Sequence, residues 1–163
     1  MYGEGREECK VKENTYGNKY TERMDYSWSD FFEDVGKIGI GFDDKGMDCV
    51  VAIARGGISL GVVLAHEFRV PLFTIRVKSY IDKRKSNLFI GEIPVELRGK
   101  RVIVVDDIID SKETIAGVCD RLKSFGVNVI SKVVLCKREG VQEECIFGRE
   151  VKKGVWVDFA WEV

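Results

Sequence analysis

The sequence has few of the features that mark membrane, secreted or nucleic-acid-binding proteins. No apolar run approaches the roughly 20 residues that a membrane-spanning helix needs. Residues 1–14 also lack the apolar segment of a signal peptide. The formal net charge of −1 gives no argument for a nucleic acid or an acidic membrane as a partner. We therefore expect a cytoplasmic protein that binds neither nucleic acid nor membrane.

Residues that commonly bind transition metals are also sparse. The chain has five cysteines, with no C-x-x-C pair, and one histidine, so a zinc site is not expected. Cys119 and Cys136 fall on apolar faces of predicted elements and are interpreted as core residues. His66 lies near the end of a predicted helix. Catalysis by a Cys/His pair therefore has little support.

What the sequence does contain is an alternation of strand and helix patterns. Its 163 residues, 45% hydrophobic and 33% charged, predict one globular domain. Residues 1–25 are polar and lack a sustained period, so we expect a flexible extension before a domain at residues 26–163. Strands are predicted at 48–54, 72–80, 102–105, 128–136 and at the C-terminus, and helices at 27–38, 58–68 and after residue 110. This order predicts an α/β fold with a largely parallel central sheet.

The most informative stretch is RVIVVDDIIDSKET, residues 101–114. A buried strand is followed by Asp106, Asp107 and Asp110, and then by Ser111 and Thr114 at the start of a helix. Carboxylates at the end of a strand can accept hydrogen bonds from sugar hydroxyls or face Mg²⁺. Hydroxyls and free N–H groups at the start of a helix suit a phosphate. The stretch predicts a sugar-phosphate site, and the alternative is an acidic helix start that the helix dipole favours.

A second strand also ends in residues suited to phosphate binding. Arg55, Gly56 and Gly57 follow the strand at 48–54, and glycines let the backbone approach an anion closely. Lys137 ends another predicted strand. Ligands of parallel sheets bind beyond the carboxyl ends of the strands, so these residues and the three aspartates are expected to converge.

These motifs resemble those of the type I phosphoribosyltransferases. VIVVDDIIDSKET resembles the signature of that family for 5-phosphoribosyl 1-pyrophosphate (PRPP), although Lys112 stands where the family usually has glycine. Arg55-Gly56 resembles the pyrophosphate loop, in which members commonly have a non-proline cis peptide. WVDFAWE resembles the W-x-x-x-P-W ending of small bacterial and archaeal xanthine-guanine-type enzymes, with Ala160 in place of proline.

The resemblance implies a three-layer fold with a small C-terminal hood over the base. It implies Mg²⁺-dependent transfer of ribose 5-phosphate from PRPP to a 6-oxopurine (guanine, xanthine or hypoxanthine), with release of pyrophosphate. The partners would be these small molecules, and the protein would form a homo-oligomer. Two alternatives stay open: a non-catalytic PRPP-binding regulatory protein of the same fold, and an enzyme for another base such as orotate.

The resemblance also implies roles for particular residues. Asp110 would be the general base, and Asp107 would lie nearest to Mg²⁺. Lys137 would bind the purine O6, Trp156 would stack on the base, and the Val157 backbone would contact its edge. Lys78, Ser79 and Tyr80 would belong to a basic lid. The residues expected to bind PRPP are Arg55, Gly56, Arg84, Asp106, Asp107, Ile108, Ile109, Asp110, Ser111, Lys112, Glu113 and Thr114.

Overall fold

The computed structural model describes residues 20–40, 46–82 and 85–162, with the backbone alone for residues 79–82 and 85–87. Eight strands, three helices and one 3-10 turn (Val95–Leu97) are found in this part of the chain. In chain order they are β1 (Glu22–Tyr26), α1 (Trp28–Ile40), β2 (Cys49–Ala54), α2 (Ile58–Phe68), β3 (Leu72–Asp82), β4 (Lys85–Ile90), β5 (Arg101–Ile109), α3 (Lys112–Ser124), β6 (Asn128–Arg138), β7 (Ile146–Val151) and β8 (Val155–Phe159).

Six strands form the central sheet, in the order β4-β3-β2-β5-β6-β7. β4 runs antiparallel to β3, and the other neighbours are parallel. β5 lies in the middle, between β2 and β6, and its residues Val102–Val105 are fully buried. Such short apolar runs are stable only where both faces of a sheet are covered. The predicted α/β fold with a mostly parallel sheet is confirmed.

Hydrophobic clusters cover both faces of this sheet. One cluster contains Phe31 and Ile38 of α1 and Leu60 of α2. The other contains Ile115 and Leu122 of α3. The helices therefore lie in two layers, with the sheet between them, and the carboxyl ends of β2, β5 and β6 meet at one open edge. None of the helices among the described residues is both long and apolar enough to cross a membrane.

The helix predicted at 27–38 is confirmed as α1, and Ser27 caps it. The Ser27 hydroxyl accepts a hydrogen bond from the Asp30 N–H at 3.2 Å. The Asp30 carboxylate accepts one from the Ser27 N–H at 2.9 Å. This reciprocal pair satisfies two N–H groups at the start of the helix that the helix itself leaves unbonded.

The sequence interpretation missed β4 and β7, which are the two edge strands of the sheet. Neither segment is among the predicted strands, but Lys85–Ile90 pairs with β3. Ile146–Val151 likewise pairs with β6. Edge strands carry polar side chains and lack the long apolar run of a central strand, so their sequence pattern is weaker.

A separate two-stranded sheet joins the two ends of the described chain. β1 pairs in parallel with β8, with Met24 opposite Val157. The domain boundary expected between residues 25 and 26 therefore falls inside a strand. The sequence of β1 has no sustained strand periodicity, and its hydrogen bonds to β8 are what make it a strand. Residues 1–19 lie outside the described part, and a flexible extension there stays a prediction.

Candidate active site

A cavity of about 520 Å³ lies at the open edge of the sheet. It collects residues from the carboxyl-terminal parts of β2 and β5, from the middle of β3, from the start of α3 and from the C-terminal segment. Its lining is Ile53, Ala54, Arg55, Gly56, Arg76, Val77, Lys78, Asp106, Asp107, Thr114 and Glu162. Arg55, Gly56, Lys78, Asp106, Asp107 and Thr114 were all predicted from the sequence, so the fold brings this part of the predicted site together.

The turn between β2 and α2 passes directly against the end of β5. A Cβ atom on Gly56 would lie 2.2 Å from the Asp107 Oδ2 atom, and one on Gly57 would lie 2.4 Å from the Val105 carbonyl oxygen. Both distances are shorter than real Cβ contacts, so a side chain at Gly56 would force the Asp107 carboxylate to shift, and one at Gly57 would force the backbone of β5 to shift. The cis peptide bond in this turn is Ala54–Arg55, one bond before Arg55–Gly56.

Asp106 and Asp107 are buried carboxylates at the end of β5, 8% and 9% exposed. Burial and the neighbouring charge of Asp107 raise the pKa of Asp106 well above 3.8. Burial, together with the Glu162 carboxylate, raises the pKa of Asp107 to about 6. Asp107 Oδ1 accepts a hydrogen bond from the Ile108 N–H at 2.7 Å, which acts in the opposite direction. Ionisation of both carboxyl groups is therefore unfavourable until a cation or hydroxyl donors bind to them.

Glu162 is a cavity residue that the sequence interpretation missed. Burial raises the pKa of its carboxyl group, and the positive charge of Arg55 opposes that rise. Glu162 follows Trp161 in the WVDFAWE segment, but nothing in the spacing of the sequence predicts that it lies near Asp107. The third carboxylate of the cavity thus becomes evident only when the C-terminal segment is placed in the fold.

The first residues of α3 have ordinary backbone geometry. Ser111 occupies the N-cap position with an extended backbone (φ −142°) and makes no side-chain capping hydrogen bond, and Lys112 is the first helical residue. Arg69 is the one non-glycine residue of the described chain with a positive φ. Lysine at the position of the family glycine is therefore unstrained. Lys112 and Glu113 are exposed, whereas Ile109 is buried in the core.

Arg138 and Tyr20 both donate hydrogen bonds to the Asp110 carboxylate. Arg138 Nε donates to its Oδ1 at 2.8 Å, and the Tyr20 hydroxyl donates to its Oδ2 at 3.0 Å. Arg138 is only 6% exposed, and its Nη1 donates to the carbonyl oxygens of Lys152 and Val155. These bonds fix the guanidinium, which in turn orients the Asp110 carboxylate. Neither Arg138 nor Tyr20 was expected from the sequence.

The residues expected to bind the base lie on different elements and are not all close to the cavity. Trp156 and Val157 belong to β8, and the Trp156 ring lies 5.0 Å from the Tyr20 ring, edge to face. The Lys137 ammonium donates to the Glu143 carbonyl oxygen at 2.9 Å and lies 5.3 Å from the Phe147 ring centroid. Among the described residues, none of these three predicted base-binding residues lines the cavity.

The predicted lid is described only in part. Lys78 of β3 lines the cavity, and the backbone of Ser79 and Tyr80 continues that strand. Arg84, which was expected to contact pyrophosphate, lies outside the described residues.

Comparison with known proteins agrees with this geometry. The phosphoribosyl transferase domain family matches residues 31–162. An HGPRTase-like protein 3 of Haloterrigena turkmenica is 31% identical over 107 residues, 59% of this chain and 56% of the relative. The chain thus spans somewhat more than half the length of the first curated relatives. A xanthine-guanine phosphoribosyltransferase of Chromohalobacter salexigens is 25% identical over 147 residues, 90% of this chain and 88% of the relative.

Solved structures show the same fold. A purine phosphoribosyltransferase from Pyrococcus horikoshii has a TM-score of 0.75 and 25% identity, over 88% of this chain and 96% of the other. A xanthine-guanine-hypoxanthine phosphoribosyltransferase from Helicobacter pylori has a TM-score of 0.73 and 24% identity, over 87% and 95%. With the family match, the parallel sheet and the cavity at its carboxyl edge, the chain belongs to the phosphoribosyl transferase domain family.

Proposed function

We propose that the protein transfers ribose 5-phosphate from PRPP to a 6-oxopurine base and releases pyrophosphate. The observation that carries the proposal is the cavity at the end of β5, where a glycine turn, two buried carboxylates and the start of α3 meet. A sugar that carries a phosphate at each end needs all three of these groups within one cavity.

Each part of PRPP has a matching part of the cavity. The 5′-phosphate would lie at the start of α3, where Ser111–Thr114 offer N–H groups, hydroxyls and the Lys112 ammonium. The ribose hydroxyls would donate to the carboxylates of Asp106 and Asp107. The pyrophosphate would lie against the Arg55-Gly56 turn, and the cations of Arg76 and Lys78 also line the cavity. Arg84 and the lid remain predicted contributors.

The carboxylates of the cavity fit a magnesium ion. Mg²⁺ prefers oxygen ligands and is commonly held by one or two carboxylates together with substrate phosphates. The described residues hold no cluster of three potential protein ligands, so PRPP would complete the site. Asp107 is the candidate protein ligand because burial and the Glu162 carboxylate both disfavour its charged form, which a cation would stabilise. When bound, Mg²⁺ would neutralise charge on the leaving pyrophosphate.

Asp110 is proposed as the general base that takes a proton from the purine nitrogen. Its carboxylate is held by Arg138, so its orientation toward the base would be fixed before substrate binds. Trp156 would stack on the purine ring. Lys137 would have to leave the Glu143 carbonyl oxygen to reach the purine O6.

A panel of bases tests the proposal. The protein, Mg²⁺ and PRPP are incubated separately with guanine, xanthine, hypoxanthine, adenine and orotate, and pyrophosphate release is measured. We expect release with one or more 6-oxopurines, and a loss of about 10²–10⁴-fold in kcat for Asp110→Asn. Asp120→Asn, on the exposed face of α3, is the matched control and should keep full activity.

Other outcomes point to the alternatives. Release with orotate alone would contradict the purine assignment. PRPP binding by calorimetry without turnover of any base would favour the non-catalytic regulatory protein. An active Asp110→Asn variant, under conditions where the chemical step limits turnover, would exclude the general-base role.

A further inference from the structure

Tyr20 lies between the residues assigned to the purine. Its hydroxyl donates to Asp110 Oδ2 at 3.0 Å, and its ring meets the Trp156 ring edge to face at 5.0 Å. The Arg138 guanidinium carbon lies 5.7 Å from the Tyr20 ring centroid. One planar ring thus contacts the carboxylate, the aromatic ring and the cation at the same time.

The open cavity ends before this group of residues. Its described lining includes Asp106, Asp107 and Thr114 but neither Asp110 nor Trp156. A purine must nevertheless reach the ribose carbon from the side of Asp110 if this residue is to take its proton. In this structure, the Tyr20 hydroxyl holds the contact to Asp110 that an entering purine would make. Its ring contacts the Trp156 ring edge to face, in the place where a purine would stack.

We propose that Tyr20 occupies the base subsite of the free protein and that the purine must displace it. The inference rests on the proposed function, because it takes the roles of Asp110 and Trp156 from there. The phenol is similar to the base in the properties that matter: both are flat, both have a π surface, and both offer a donor to the carboxylate. Tyr20 thereby lowers the apparent affinity for every base by the same factor.

The expected effect follows from the competition between two occupants for one site. When the binding-competent form is only a fraction of the protein, the apparent dissociation constant rises by the inverse of that fraction. One hydrogen bond to a charged group shifts such an equilibrium by about tenfold or more. Removal of the Tyr20 side chain should therefore lower the KM for the base by roughly tenfold.

The test compares Tyr20→Ala and Tyr20→Phe with the parent protein. The KM for the preferred base and the KM for PRPP are measured, and binding of the product nucleoside 5′-monophosphate is measured by calorimetry. We expect a lower base KM and tighter nucleotide binding in Tyr20→Ala, a smaller effect of the same sign in Tyr20→Phe, and an unchanged PRPP KM. Phe32→Ala, an exposed aromatic residue on α1, is the control and should change none of these.

A higher base KM in Tyr20→Ala would overturn the proposal, because Tyr20 would then be a wall of the site that supports the base. An unchanged base KM in both variants would overturn it as well. If Tyr20→Ala does not fold, Tyr20→Phe decides, since it keeps the ring and removes only the donor. A parent protein that turns over no base and binds no nucleotide would overturn the proposed function too, whereas an active parent with unaffected variants overturns this inference alone.

Discussion

At the scale of single residues, the candidate site depends on close approach between backbone and carboxylate. Gly56 leaves no room for a side chain, since a Cβ atom there would lie 2.2 Å from Asp107 Oδ2. Asp107 in turn cannot move far, because its Oδ1 accepts the Ile108 N–H. The glycine turn and the end of β5 are therefore packed as one unit.

Gly56→Ala should abolish or strongly weaken PRPP binding while most of the core remains folded. The new methyl group would push the turn away from Asp107 and disrupt the pyrophosphate and ribose contacts together. Calorimetric titration with PRPP and Mg²⁺ measures the loss. Gly39→Ala in α1, where a Cβ atom meets nothing within 4 Å, is the control and should bind like the parent. Equal PRPP affinity in both variants would show that the turn does not contact PRPP.

Lys112 provides a second prediction at this scale. Its backbone is helical and unstrained, so its side chain rather than its conformation distinguishes it from the family glycine. Lys112→Gln should weaken PRPP binding, and more so at low ionic strength, because screening by salt reduces the contribution of a charge. Titrations at two salt concentrations measure this, with Lys123→Gln at the far end of α3 as the control. Tighter PRPP binding in Lys112→Gln would mean that the lysine impairs the loop.

At the scale of elements, the sequence predicts best the strands that have both faces buried. The central strands β2, β5 and β6 were found from their apolar runs, and their ends placed Arg55 and Asp106 correctly in the cavity. The edge strands β4 and β7 were missed because KSNLFI and IFGREV have neither a long apolar run nor a regular alternation of polarity. Glu162 and Tyr20 were missed for another reason. Their positions depend on the pairing of β1 with β8, which no local pattern reveals.

α1 is fixed to the edge of the sheet by a buried polar network. Asp34 is fully buried and accepts hydrogen bonds from the Tyr26 hydroxyl at 2.8 Å and the Lys37 ammonium at 3.0 Å. Arg149 of β7 donates to both Asp34 and Asp30. Gly148 allows this contact, because a Cβ atom on it would lie 2.4 Å from the Asp34 Cβ atom.

Two glycine substitutions, one in α1 and one in β7, should have opposite effects on the free energy of unfolding. Gly36→Ala, in the interior of α1 with nothing within 4 Å of its Cβ position, should raise the free energy of unfolding by about 0.5–1 kcal/mol. Gly148→Ala should lower it, since the methyl group would collide with Asp34. Urea unfolding followed by circular dichroism measures both. A destabilised Gly36→Ala variant would indicate that another surface packs closely against this helix.

At the scale of the whole molecule, two carboxylates make the free energy of unfolding depend on pH in opposite directions. Hydrogen bonds from Ser27, aided by Arg149, lower the pKa of Asp30 to about 2. The stability from Asp30 is therefore present above its unfolded value of 3.8 and is lost as the pH falls toward 2. Asp107 acts in the opposite sense, because burial raises its pKa to about 6. The folded protein then holds a proton that the unfolded chain releases, so stability declines as the pH rises from about 3.8 to 6.

Asp107→Asn should therefore stabilise the free protein at pH 8 while it impairs PRPP binding. The amide keeps the size of the carboxylate and can still accept the Ile108 N–H, but it has no charge to desolvate. A pKa shift of about two units corresponds to an upper value of roughly 3 kcal/mol, and we expect a gain of roughly 1–3 kcal/mol at pH 8. At pH 3.5 the gain should nearly vanish, because Asp107 is protonated in the folded parent. Urea unfolding without Mg²⁺ or PRPP at both pH values measures the difference, with the exposed Asp120→Asn as the control. A stability change that is the same at both pH values would contradict a raised pKa at Asp107.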